Sequence, residues 1–459
     1  MALKQEPGRE QWASRVGFIL AAMGSAVGLG NVWRFSYVAG ENGGAAFLIV
    51  YIAMIILIGL PVVMAEFTIG RKAQSDAVGS FEKLSTGVGK LGPGQPWKIA
   101  GLMGVAAAFM ILSFYAVIAG WILYYFVNYL TGNFWTAPEE GYEAFFGGFI
   151  SNNSFPLLWQ AIFMVLTVAI VYVGVKKGIE RANKILMPLL GILLIVLSIY
   201  GLTLGGASQG LAFLFSPDWS ALADPNIYLA ALGQAFFSLS LGMGALITYG
   251  SYLSDKEKLP GAAASVATLD TLFAIIAGIM IFPAVFAFGI DPASGPGLVF
   301  VVMPDVFDSF TGGGIFGLLF FFLLAAAALT SAVSLLEVAV AYFMRKFEWS
   351  RRKAAVIIGG IIFLLGIPSS LSNGVWADFK IIGDRGFLDS VDFIASNIFL
   401  PLGGLIIALF MGWGIKKADA LRDSDFGHTG LGLTWLFLLR YLAPIAIVLV
   451  FLSSIGLFG

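Results

Sequence analysis

Gly24-Ser25-Ala26-Val27-Gly28-Leu29-Gly30-Asn31 lies in the middle of the first long apolar stretch of the chain, and five of its eight residues are Gly, Ser or Asn. These are poor helix formers, and glycine lets the backbone approach a neighbour or a ligand closely. A second run of the same kind, Ser238-Leu239-Ser240-Leu241-Gly242-Met243-Gly244, falls near the middle of the sixth such stretch. Either run alone reads more simply as close helix packing through small residues. Two of them, five stretches apart, instead predict two membrane helices interrupted at mid-depth, as expected of the opening helices of two inverted five-helix repeats.

The rest of the chain supplies the setting. Of 459 residues, 59% are hydrophobic and only 12% charged, with a mean hydropathy of +0.91, which places the chain in a bilayer. A helix needs roughly 20 mainly apolar residues to cross a hydrocarbon core of about 30 Å. Cutting at the charged clusters gives eleven: 15–38, 43–70, 97–127, 157–175, 184–204, 226–252, 261–289, 314–344, 354–371, 391–415 and 431–457. The polar start, Met1 to Trp12, lacks the small-residue cleavage site of a removable signal, so the first stretch reads as a retained span. With the N-terminus in the cytoplasm, 22 of the 26 Lys and Arg residues fall in cytoplasmic segments. Lys380 and Arg385 lie outside, and Arg34 and Arg440 within spans. This one-sided distribution follows the positive-inside rule and sets the C-terminus outside. The expectation is an all-α, multi-pass protein of the cell membrane. A single domain, 1–459, holds repeat one (15–204), repeat two (226–415) and an extra helix (431–457).

The chain has no cysteine, and its one histidine, His428, cannot form a multi-histidine metal site alone. No catalytic cluster of His, Cys or paired carboxylates is present, so the chain is not read as an enzyme. Nothing calls for nucleic acid; the bilayer is the expected partner. An ion channel would want a ring-forming filter sequence or regularly spaced pore charges, and neither is seen. What stands out is charge inside the spans, costing about 2.5–3.5 kcal/mol per residue on insertion scales. The residues are Arg34, Glu66, Asp270 and Glu337. Glu66 and Glu337 are expected to accept hydrogen bonds from backbone N–H groups freed by a broken helix. Asp270 has Thr268 and Thr271 nearby but no basic residue close in sequence, which leaves a bound cation and a structural role both open.

Arg9-Glu10-Gln11-Trp12, then Gly24 to Arg34, then Glu41-Asn42-Gly43-Gly44 resembles the signature of the neurotransmitter:sodium symporter family. The likeness runs from Arg9 to the end of the chain. It implies the LeuT fold, with discontinuous helices 1 and 6, although most relatives have twelve spans rather than eleven. It also implies alternating-access import of a zwitterionic, hydrophobic L-amino acid coupled to Na+, with two ion sites. By resemblance, the first sodium site comprises Ala26, Asn31, Ser238 and Asp270, completed by the substrate's carboxylate. The second comprises Gly24, Val27, Ala327, Thr330 and Ser331, all hard oxygen donors. The substrate pocket implied by the family is lined by Ser25, Ala26, Gly28, Gly30, Ile111, Tyr115, Phe237, Ser238, Ser240, Met243, Ser331 and Leu335. Amine-carrying relatives have an aspartate where this chain has Gly28, which argues against amines.

The same resemblance implies an outer gate of Arg34 with Asp392, above a lid of Tyr115 and Phe237. On the inner side it pairs Arg9 with Tyr252, but the usual aspartate partner at the end of span eight is replaced by Arg345. Gly178 and Pro188 match a family motif that eases unwinding of the fifth span. Ser36 departs from the usual proline. Many relatives have asparagine where Asp270 stands, and balance the sodium charge with chloride or a glutamate one turn later, here Ala274. A fixed carboxylate at Asp270 therefore predicts chloride-independent transport. The rival within transport is proton coupling, with Asp270 or Glu66 titrating.

Overall fold

The computed structural model describes residues 10–85, 97–255, 257–289, 291–292 and 295–454. Nine helices among them are long and apolar enough to cross a membrane: Ala45–Ala73, Lys98–Leu130, Phe155–Val173, Val175–Gly201, Leu259–Ala287, Gly313–Phe347, Arg351–Leu371, Phe387–Gly414 and Gly430–Ser453. Two further spans come in halves. The first is Arg15–Ala26 followed by Gly30–Glu41, bent by 51°. The sixth is Pro225–Ser238 followed by Ala245–Gly250, whose second half is too short to cross anything alone. By length and composition the described residues thus give nine spans, or ten with the bent first pair; the sixth of the eleven stretches predicted from the charge clusters is present as two shorter helices. The described residues contain no strand, only an isolated bridge between Ile382 and Arg385.

The fifth span differs most from expectation. It begins at Val175 rather than near 184, because Lys176, Lys177, Glu180 and Arg181 ride on a wound first turn and do not form a loop. Its opening residues, Val175–Glu180, are π-helical. Gly178 therefore sits in a helical turn, with Pro188 inside the helix that follows, so the segment between them is wound in this conformation.

Burial sorts the spans into layers. The third and eighth have 72% and 78% of their most apolar window buried, against 33% for the fourth and 28% for the eleventh. The central pair thus forms the wall facing the two broken helices, while the peripheral spans carry apolar side chains outward, as lipid-facing helices must.

The breaks have local causes. Ser14 caps the first helix by accepting from the Gly17 N–H, and Val27 ends it by turning to ψ 106°. In the sixth span the Leu241 N–H bonds the Phe236 carbonyl at 3.0 Å and the Ser240 N–H bonds the Phe237 carbonyl at 3.2 Å. This is a Schellman cap with Ser240 in the left-handed position usually given to glycine, at φ 55°. Gly242 and Gly244, at φ 77° and 76°, carry the chain through to the second half.

Candidate ion and substrate sites at the helix breaks

Asp270 of the seventh span, Asn31 just past the first break and Ser238 at the edge of the second are fully buried and meet. The Asn31 amide donates to Asp270 Oδ1 at 2.8 Å and to Ser238 Oγ at 3.1 Å. The Ser238 hydroxyl donates to Asp270 Oδ2 at 2.6 Å. Asn31 Oδ1 takes the Gly28 N–H at 3.1 Å, tying the cluster to the unwound backbone. No basic side chain lies within ion-pair distance of Asp270 among the described residues, so its carboxylate is held by neutral donors. A buried carboxylate in that position has the charge to balance a cation.

Beside this cluster lies a small cavity lined by Ser25, Ala26, Gly28, Leu29, Gly30, Ile111, Tyr115, Phe237, Ser240, Met243, Ser331 and Leu335. Eleven of the twelve residues expected of the pocket are there. Ser238 is not, since its hydroxyl is turned to Asp270, and Leu29 takes a place on the wall. The Tyr115 hydroxyl is buried with no hydrogen-bond partner, a free donor at the cavity edge. A Cβ on Gly28 would collide with Ser331 Oγ and come within 3.3 Å of that hydroxyl, so the wall has no room for a side chain there. The free space is about 30 Å³, enough for one or two waters. Seating a larger molecule therefore requires the wall to expand, for which the unbranched Met243 and the partly exposed Phe237 are suited.

The second group of oxygens joins the first and eighth spans. The Ser331 hydroxyl lies 3.3 Å from the Gly24 carbonyl and 3.4 Å from that of Ser25. The Thr330 hydroxyl donates to the Ala327 carbonyl at 2.9 Å. Val27 stands at the point where the first helix ends. Gly24, Ala327, Thr330 and Ser331 thus come together around the break, all with oxygen donors.

At the face opposite the N-terminus, Arg34 and Asp392 line one cavity of about 220 Å³ with Tyr115 and Phe237, but no ion pair joins them. Arg34 instead lays its guanidinium over the Phe237 ring, 4.4 Å from the centroid, and Asp392 accepts from the Ser396 hydroxyl at 2.7 Å. The expected gate is therefore apart, with a passage above the pocket.

The N-terminal face is closed by a network around Tyr252, Glu337 and Arg351. Arg9 lies outside the described residues. Tyr252 donates its hydroxyl to Glu337 and accepts the Trp12 N–H on its carbonyl at 3.2 Å. Arg351 forms a bidentate pair with Glu337 at 2.6 and 3.0 Å and reaches Glu10 at 3.1 Å. Glu337 thus does not serve freed backbone N–H groups, as predicted; its partner is a guanidinium from the next span. Arg345 is neutralised separately by Asp76 and Glu82. Glu66 does take up freed backbone, accepting the Gly242 N–H at 2.8 Å inside the second break. Ser36 donates to the Val32 carbonyl at 2.9 Å, which accounts for its hydroxyl within a continuous helix.

Three residues the sequence did not single out belong to these sites. Tyr51 reaches Ser238 Oγ at 3.2 Å and Asp270 Oδ2 at 3.4 Å. Gln234 donates to the Gly30 carbonyl at 2.7 Å, bracing the first break. Arg351 closes the N-terminal face. The available signal was a polar tip inside an apolar span, which must find a partner.

Two broken helices with a lone buried carboxylate, a phenol and a group of hard oxygens at their breaks have the architecture of a secondary transporter. The model of the Sodium:neurotransmitter symporter family matches residues 9–144 and 152–455, and the chain belongs to that family. It is 42% identical over 450 residues to the uncharacterized sodium-dependent transporter YhdH of Bacillus subtilis, covering 97% of this chain and 98% of that protein. An uncharacterized sodium-dependent transporter of Haemophilus influenzae is 35% identical over 452 residues, with 97% and 98% covered. Among solved structures, MhsT in complex with L-phenylalanine matches with a TM-score of 0.91 and 70% identity, covering 97% of this chain and 100% of that one. The fold is thus the LeuT-type bundle with broken first and sixth helices.

Proposed function

We propose that this protein imports hydrophobic L-amino acids on a sodium gradient, through two ions bound at the helix breaks, without chloride. The observation that carries the reading is the Asp270–Asn31–Ser238 cluster, a fully buried carboxylate held by neutral donors beside a pocket with an unpartnered phenol. A zwitterion suits that pocket. Its carboxylate would face the Tyr115 hydroxyl and the nearby cation, and its ammonium would face carbonyls at a half-helix C-terminus. The absence of a side-chain anion at Gly28, and the space that forbids one, support an amino acid over an amine. The walls formed by Ile111, Phe237, Met243 and Leu335 support an apolar side chain, as does the L-phenylalanine bound in the structure of MhsT. Ion and substrate raise each other's affinity because each supplies the other's counter-charge.

The separated Arg34 and Asp392 and the closed Glu337–Arg351–Tyr252 network support a conformation open toward the outside, with the N-terminal face cytoplasmic. Each sodium contributes about 2.3 kcal/mol per 100 mV and about 1.4 kcal/mol per tenfold gradient. Two ions together give roughly 7.4 kcal/mol, enough for accumulation on the order of 10⁵-fold. Uptake of radiolabelled tryptophan, tyrosine, leucine and alanine into proteoliposomes, with and without an inward sodium gradient, tests the proposal. Accumulation of at least one hydrophobic amino acid only with sodium is expected. Sodium-free uptake driven by a pH step would replace sodium coupling with proton coupling.

A further inference from the structure

Asn183 of the fifth span is 1% exposed. Its Nδ2 donates to the Ile179 carbonyl one turn back, at 3.0 Å, which fixes the orientation of the amide. Turning it over would set Oδ1 against that same carbonyl oxygen, acceptor against acceptor. In this orientation Oδ1 has no donor within reach. Buried amide oxygens are rarely left so, and one that is calls for a partner of its own.

Its direction is read from Gly24. A Cβ built there would collide with Asn183 Oδ1 and lie 3.2 Å from Thr330 Cβ. The amide oxygen therefore points into the seam between the first and eighth spans, where Gly24, Thr330 and Ser331 bring their oxygens together. Neither hydroxyl can serve it, since Thr330 donates to Ala327 and Ser331 faces the Gly24 and Ser25 carbonyls. The partner that brings no proton and prefers hard oxygens is an alkali cation.

The first span is shaped for this approach. Gly17 and Gly24 are seven residues apart and so share a helix face. A Cβ at Gly17 would collide with Glu180, as one at Gly24 would with Asn183. Two glycines thus admit two oxygen-bearing side chains of the fifth span against the first-span backbone, and Glu180 anchors the contact by accepting the Ala13 N–H at 2.6 Å.

We propose that Asn183 supplies a further oxygen to the second sodium site, so that the ion joins the fifth span to the first and eighth. This rests on the reading of that site given above. The test uses the purified full-length chain in detergent. Thermal stability is measured with sodium or choline and no substrate, and binding of radiolabelled L-phenylalanine is titrated with sodium. The variants are Asn183→Leu, which keeps the branched outline at a larger volume and removes the oxygen, Asn183→Asp, and Thr330→Val as reference. Sodium raises the melting temperature of the parent. Asn183→Leu is expected to raise the half-saturating sodium concentration roughly three- to tenfold. Its phenylalanine affinity at saturating sodium stays at the parent value, which a merely structural role would not predict. Asn183→Asp lowers the half-saturating concentration. A parent-like titration by Asn183→Leu, with Thr330→Val shifted, overturns the proposal and leaves the second site standing. If neither shifts, the proposal and that site fall together. Should the leucine variant not fold, Asn183→Asp decides alone, and an unaltered sodium response overturns the proposal.

Discussion

The Ser240 hydroxyl donates to the Ser25 carbonyl at 2.7 Å, one of the bonds that tie the break in the sixth span to the break in the first. Both residues line the cavity, so the two unwound segments move as one wall or lose this bond. Ser240 is also a non-glycine residue held at φ 55°, a placement sustained by the structure around it.

Ser240→Gly separates these two roles. The variant loses a hydrogen bond worth about 0.5–1.5 kcal/mol and relieves a left-handed placement costing about 1–2 kcal/mol. The two nearly cancel, so the melting temperature should hold while the half-saturating substrate concentration rises. A fall of many degrees with unaltered uptake would show that the bond serves stability and not the pocket.

Gly28→Ala tests the pocket wall. The added methyl meets Ser331 Oγ and crowds the Tyr115 hydroxyl. Overpacking of about 1–3 kcal/mol at a binding wall corresponds to a loss of uptake affinity of roughly five- to 150-fold. Transport kinetics in proteoliposomes read the loss directly, and parent-like affinity would remove Gly28 from the site.

How much of this was legible in the residues follows from what kind of information each feature carries. The breaks were readable because Gly24–Gly30 and Ser238–Gly244 violate helix propensity locally, and eleven spans emerged because charge clusters punctuate an apolar chain. Glu337 was misread because its partner, Arg351, lies fourteen residues on in the next span, and sequence distance hides a turn between packed helices. The fifth span was started too late since charged residues on its first turn look like a loop when their partners from a distant part of the chain, such as Ala13 and Ser14 for the buried Glu180, are unseen. Tyr51 and Asn183 are single polar groups in apolar stretches, whose meaning is set by what faces them.

Arg351→Ala should be among the most damaging changes on the N-terminal face. Glu337 is wholly buried and would be left with only the Tyr252 hydroxyl beside it. Removing one partner of such a pair costs about 3–5 kcal/mol, whereas replacing both with apolar or neutral groups costs far less. The double variant Arg351→Leu with Glu337→Gln should therefore melt at a higher temperature than Arg351→Ala. Equal melting temperatures for the two would mean that the ion pair does not hold this face shut.

Asp270 touches Asn31, Ser238 and Tyr51, all neutral, so on the proposed function its carboxylate is left to balance the cation in this part of the bundle. Replacing chloride with gluconate should then leave sodium-driven uptake unaltered. Asp270→Asn keeps the shape and one oxygen but removes the charge, and losing a charge-assisted contact of about 1.5–3 kcal/mol should weaken sodium dependence roughly ten- to 150-fold. Ala274 is one helical turn further along the same face and fully buried. A carboxylate placed there should act on the same ion through space, so Asp270→Asn with Ala274→Glu should recover part of the uptake that Asp270→Asn alone loses. Uptake measured in all three proteins, in chloride and in gluconate, separates the outcomes: chloride dependence in the parent would place the counter-charge outside the protein, and failure of the double variant in both salts would mean that position matters as much as charge.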